Sequence, residues 1–311
     1  MNGTRLIIIA LAMHANTVFA ASADTTATAE HHSLWHSLLQ ESRHNPAFML
    51  DAYAHSYSEL SLYADYKHAN RPLLYEFGTG DQLWEAAAKS YLHLSKRMSV
   101  WGSASYRTGR KHALKWNSTS DYLLLRPYVM GDTLGGDLHN ERYTFAGGYA
   151  VRLGKLTLGA QIDFRAEHEY RTTDPRVRSI ATDMTLRGGV RHTFGFYEAG
   201  IGVGGTFYKQ TNDVKFFREE GVIPEYQMSG LGADYERFSG SNRSAYYKST
   251  GILTDIDLQP TGNRNGIYVT ANYRFAPYKR ILPELNSLPL STLYLTNAAA
   301  TMGWKHCGTV G

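Results

Sequence analysis

From Leu156 to Arg165 every second residue is apolar. Leu156, Leu158, Ala160, Ile162 and Phe164 alternate with Thr157, Gly159, Gln161, Asp163 and Arg165. A period of two held over ten residues predicts a β-strand with one apolar and one polar face. Strands of soluble sheets usually run five or six residues. About ten is the length at which a tilted strand crosses the hydrocarbon of a bilayer.

The same long alternation recurs through the chain. It predicts nine strands, at 57–66, 81–94, 97–108, 141–152, 155–168, 178–192, 195–208, 264–275 and 290–304. A tenth within 244–259 or 123–130 is the alternative. The links between strands differ in length. Those at Ser95, Gly154 and Phe194 are short, whereas 109–141, 170–177 and 209–264 are longer and polar. Short turns on one side and long loops on the other, with Tyr66, Trp84, Tyr106, Tyr143, Phe164, Phe207 and Phe275 at strand ends, are the arrangement of an outer-membrane barrel. Every backbone amide in hydrocarbon must be bonded within the protein, and a closed sheet does this without a free edge.

Composition sharpens the choice. The 311 residues include 22 Tyr, 29 Gly and only 9 Pro. Tyrosine suits strands and membrane interfaces. A mean hydropathy of −0.37 fits a barrel, in which only alternate residues meet lipid. The net charge of +4 is small and dispersed, which gives no case for nucleic acid. The lone Cys307 cannot form an internal disulfide.

At the start, Arg5, the apolar run 6–13 and small residues at Ala20 and Ala23 predict a signal peptide over 1–23. Residues 24–56 form an N-terminal segment. Its first residues, 24–30, are small and polar and read as unstructured. A short helix follows over 31–42, with Leu34, Trp35, Leu38 and Leu39 on one face, and Asn45-Pro46-Ala47 stops it. The barrel is expected over 57–306, with an atypical end at 307–311. Nine strands would leave the chain ending on the side opposite its start. That count, together with an end lacking an aromatic residue, gives the expectation of an incomplete barrel, truncated or frameshifted near Lys305. The fold class is therefore all-β: an antiparallel transmembrane β-barrel of about nine or ten strands with a short N-terminal helix.

A leader, a short helix, Asn45-Pro46-Ala47 and a train of long Tyr- and Gly-rich strands resemble an uncharacterised family of large outer-membrane barrels in the Bacteroidota. The Asn-Pro-Ala triplet is similar to one in the fatty-acid-transporter-like barrels, and that likeness implies an N-terminal segment lying inside the barrel. It implies no functional residue.

Candidate functional residues fall into two groups. Asp163, Arg165, Asp183, Arg187, Arg191 and Glu198 lie on the polar faces of three successive strands and should line the lumen. There they either pair across strands and fill it or border an aqueous path. Phe216, Phe217, Tyr226, Tyr235, Tyr246 and Tyr247 lie in the long link 209–264, which favours either external contacts or packing among themselves. His31, His32 and His36 lack a convergent fourth ligand, so no metal is expected, and no cofactor is implied. No G-x-S-x-G elbow is present, and the chain is not expected to be an enzyme. The expected role is a porin-like channel or transporter with a charged lumen in the bacterial outer membrane. The alternatives are a non-conducting anchor of a surface complex and an outer-membrane hydrolase needing a Ser–His pair at the outer rim. The expected partners are outer-membrane lipid and a surface or periplasmic protein.

Overall fold

A computed structural model describes residues 25–218, 223–262, 264–283 and 286–306. The expected signal peptide and the end at 307–311 lie outside these residues. The fold is the all-β, antiparallel barrel type that the alternation predicts. Ten long strands form one sheet in the order β1 (Tyr57–Tyr66), β2 (Gly80–Ser95), β3 (Met98–Leu114), β5 (Gly136–Leu153), β6 (Leu156–Tyr170), β7 (Arg176–Phe194), β8 (Tyr197–Lys215), β11 (Arg243–Pro260), β12 (Gly266–Ile281) and β13 (Pro289–Lys305). A second sheet of three short strands, β4 (Met130–Asp132), β9 (Glu225–Gly230) and β10 (Ala233–Phe238), is built from the loops at one end.

Nine of the ten long strands match the predicted ones to within a few residues, except that β3, β8 and β12 run on and β5 begins earlier. The tenth, β11, corrects the nine-strand count and falls on the alternative offered over 244–259. It pairs with β8 over eighteen residues and with β12 on its other side. Its lumenal face carries Tyr247 and Leu253 as well as Asp255 and Asp257, and its outer face carries Ile252 and Ile256 as well as Lys248, Thr250 and Thr254, so apolar and polar residues occupy both parities and blur the period. With ten strands, the start of β1 and the end of β13 lie on the same side, next to the short turns, which corrects the expected opposite ends.

Two of the short turns place glycine where the chain must turn left-handed. Gly154 (φ 67) and Gly195 (φ 58) begin the two-residue connections β5–β6 and β7–β8, and a Cβ would strain either.

The two faces of the sheet differ as their sequences require. Leu62, Trp84, Phe145, Ile162, Leu186, Ile201, Val203, Ile252, Tyr273 and Met302 all point outward and are exposed. So many apolar side chains on one continuous outer surface far exceed the apolar patch of an ordinary soluble monomer. The inner face is closed on itself by the N-terminal segment. This segment comprises helices α1 (Thr25–His31) and α2 (Leu34–Ser42) and a 3-10 turn over Pro46–Asp51. Residues 25–31 are thus helical rather than unstructured. Ala27 is buried, and Glu30 accepts the backbone amides of Ala54 and His55.

This one segment touches both ends of the strand order. His31 stacks on Tyr57 of β1 at 4.8 Å, and His32 lies 3.0 Å from Glu59. Trp35 meets Tyr268 of β12 edge-on at 5.0 Å, and Lys305 of β13 sits over the Trp35 ring. The sheet has therefore curled around the segment. Among the described residues, no ladder joins β1 to β13.

Candidate functional site

The lumen holds two bodies, one at each end. At the short-turn end the 3-10 turn lies against the inner faces of β3, β5, β6, β7 and β8. Asn45 caps it by accepting the Ala47 amide at 3.0 Å, and proline fills its first position, where no donor is lost. Ala47, Phe48 and Leu50 are almost completely buried. The wall beneath is glycine for a steric reason. A Cβ on Gly159 of β6 would overlap the Pro46–Ala47 backbone, and one on Gly200 of β8 would overlap the Phe48 ring. The alternation of β6 and β8 alone leaves these lumenal glycines unexplained, whereas the docked segment accounts for them.

At the long-loop end, residues 115–135 and 223–242 fold into the mouth. Leu125, Val129 and Met130 pack with Val177, Tyr208, Val214, Ala245, Tyr247 and Tyr278 from the inner faces of the strands. Asp121, just before the short helix α3 (Tyr122–Leu125), is gripped from the wall. Arg165 donates to both its carboxylate oxygens at 2.8 and 2.7 Å, and the Tyr208 hydroxyl donates at 2.8 Å. Burial pushes the Asp121 carboxyl up, but these donors outweigh it and hold it below the usual carboxylate range. Farther out, Arg171 binds Asp132 of β4 at 2.5 Å. Asp132 is directly opposite Glu225 of β9, and both are fully buried. Burial first, and the Asp132 charge second, push the Glu225 carboxyl up to about 8.

All six lumen residues expected from the sequence face inward, but they form separate groups rather than one lining. Arg165 joins Asp121, Glu167 at 2.9 Å and Asp183 at 3.9 Å. Arg187 pairs with Asp255 at 3.3 Å. Arg191, 1 % exposed at its side chain, donates to Glu198 at 3.1 Å, Thr157 at 3.1 Å and Asp51 of the N-terminal segment at 2.7 Å, while Arg152 also bonds Asp51. Asp163 accepts from Gln161 at 2.9 Å.

The sequence reading missed Asp51, Asp121, Glu167 and Asp255. Glu167 was findable, two residues after Arg165 on the same face, and Asp255 lies in the strand offered only as the alternative. Asp51 and Asp121 lie in segments with no period to mark which way they point.

One polar cavity of about 270 Å³ remains between the N-terminal segment and the wall. His44 and Asn45 border it on one side, and Asp163, Thr185 and Arg187 on the other. Burial first, and the Arg187 charge second, hold the His44 imidazole below its usual value.

The loop aromatics need correction. Tyr246 and Tyr247 belong to β11, and Tyr247 is 1 % exposed on the lumenal face. Phe216 packs edge-on against Phe238 at 6.0 Å, and Tyr226 lies over Trp116 at 5.2 Å. Of the six, Phe217 and Tyr235 are exposed, and Phe217 sits beneath the Arg176 guanidinium at 3.9 Å. A Ser–His contact does exist, with Ser99 Oγ 3.0 Å from His93 Nδ1. It lies at the short-turn end rather than the outer rim, and Ser99 is wholly buried under Leu50, whose carbonyl is 2.9 Å away.

A long-stranded antiparallel barrel with an occupied lumen is thus the class of protein these residues build. The chain belongs to a family of unknown function, DUF6850, whose model matches residues 46–309. No curated protein matches it. Among solved structures it is similar to BauA, the ferric preacinetobactin receptor of Acinetobacter baumannii, with 9 % identity and a TM-score of 0.43 over 79 % of this chain and 40 % of that one. It is also similar to Fiu, the ferric-catecholate import receptor of E. coli K12, with 9 % identity and a TM-score of 0.41 over 80 % and 43 %. A third likeness is to the ferric citrate transporter FecA, with 12 % identity and a TM-score of 0.33 over 78 % and 35 %. The chain spans well under half the length of each of these proteins.

Proposed function

We propose that this chain is an outer-membrane β-barrel protein whose lumen is closed at rest, so that it does not act as an open pore. The apolar outer surface on strands long enough to cross hydrocarbon supports the membrane location. The observation that carries the closed state is the N-terminal segment seated on Gly159 and Gly200 and locked by Asp51 to Arg191. Charges that a channel would leave facing water are instead spent on pairs within the wall and with the two inserted bodies. This favours the non-enzymatic, non-conducting alternative, in which the barrel anchors a surface complex, over the porin-like one. Ser99 gives the hydrolase alternative no support, because its hydroxyl is sealed beneath the plug.

A second reading, a gated and substrate-selective passage, is favoured by the cavity between His44 and Arg187, which has polar walls and room for a small solute. Single-channel recording in a planar bilayer tests the proposal. The folded wild type is expected to be silent, and steady conductance from it would overturn the closed state. Brief openings that appear only with one added solute would support the gated reading.

A further inference from the structure

Three lysines stand in one row on the outer face of the sheet. Lys209 of β8 is directly opposite Lys248 of β11, and Lys248 is directly opposite Lys279 of β12. All three are exposed. Neighbouring strands are ~5 Å apart, and like charges placed directly opposite each other repel. Several cations on the inner face are paired, as in Lys111–Glu169 and Arg187–Asp255, whereas these three enter no ion pair among the described residues. The nearest carboxylate on this face along β8, Asp213, is four residues farther out and accepts the Ser244 hydroxyl at 2.6 Å.

The height of the row is informative. Lys209 lies twelve residues along β8 from Tyr197, and Lys248 twelve residues from the far end of β11 at Pro260. At a rise of ~3.3 Å per residue and a tilt of ~40°, twelve residues climb about 30 Å, the thickness of the hydrocarbon layer. The row therefore sits where the apolar belt ends, with Phe207, Thr250 and Pro277 next on the same face toward the turns and Ile252 and Phe275 one outward position beyond. The side is that of the long loops, which in the membrane reading is the outer leaflet.

We propose that Lys209, Lys248 and Lys279 bind the phosphate of an anionic glycolipid headgroup of the lipid A type, whose acyl chains lie along Phe207, Ile252 and Phe275. This rests on the outer-membrane reading. Three adjacent ammonium groups can share one multiply charged phosphate, which accepts from all of them and relieves their repulsion. A neutral or zwitterionic headgroup offers no such net gain.

The test reconstitutes the full chain in phosphatidylcholine vesicles containing either lipid A or its dephosphorylated form, and measures glycolipid retained per barrel after detergent washing. Wild type should retain lipid A and not the dephosphorylated lipid. The triple variant Lys209→Gln, Lys248→Gln, Lys279→Gln should retain it roughly a hundred-fold less tightly, at ~1 kcal/mol for each lysine near an anionic surface. The triple Arg variant should retain it as wild type does, and Lys155→Gln, at the opposite end, should change nothing. Equal retention by wild type and the triple Gln variant, both inserted as heat-modifiable barrels, would overturn the site alone. Failure of the wild type to insert would overturn the membrane reading and the site with it.

Discussion

Replacing Gly159 and Gly189 together by valine should drive the N-terminal segment out of the lumen while leaving the barrel standing. The two positions lie in register on β6 and β7. A side chain on Gly159 would overlap the Pro46–Ala47 backbone, and one on Gly189 the Asn45 side chain. The segment is held chiefly by Phe48 and Leu50, both about 1 % exposed. Full burial of side chains of this size contributes about 1.5–3 kcal/mol each, or roughly 3–6 kcal/mol for the pair. Overpacking costs about 1–3 kcal/mol per site, so the two valines oppose docking by roughly 2–6 kcal/mol. Since ~1.4 kcal/mol is a factor of ten, a segment free less than about a hundredth of the time in the wild type should become free for a large fraction of it. Protease should cut within 45–52, while the loop body at the other end keeps the variant silent in planar bilayers. Gly188→Val, which points into open space, is the control. A double variant that inserts normally and keeps 45–52 protected would refute the argument that these glycines exist to seat the segment.

Arg191→Ala should lower the stability of the reconstituted barrel by about 3–5 kcal/mol in urea unfolding, because it leaves the buried Glu198 without its cation and removes one of the two arginines that hold Asp51. Val203→Arg, an exposed outward residue six positions above the β8 turn and so near mid-membrane, should cost roughly 2–4 kcal/mol in a bilayer and much less in detergent. An equal cost in both would count against the lipid-facing assignment. The loop sheet should loosen as pH rises. Folded Glu225 keeps its proton to about 8, whereas its ordinary value is 4.5, so protection declines across that window and levels off above it. Hydrogen exchange of 223–238 should show this decline in the wild type and not in Glu225→Gln.

The period of two determined much of this protein without any tertiary information. Residues such as Leu156–Phe164 and Ile180–Val190 must alternate across a sheet, and the direction of each lumenal charge follows from its parity. That is why all six expected lumen residues face inward. Parity gives direction but not partners. Arg165 and Arg191 find theirs in Asp121 and Asp51, which come from segments with no repeat and reach the wall only because the chain folds back into its own lumen. β11 stood only as the alternative over 244–259 for the opposite reason. Its inner face meets the loop core through Tyr247 and a charge pair through Asp255, so burial there depends on what fills the barrel, and its sequence reads apolar on both parities. The glycines at 159, 189 and 200 were visible as a composition, but their cause was not. A missing side chain records a close neighbour, and only the folded chain shows that the neighbour is the protein's own N-terminal segment.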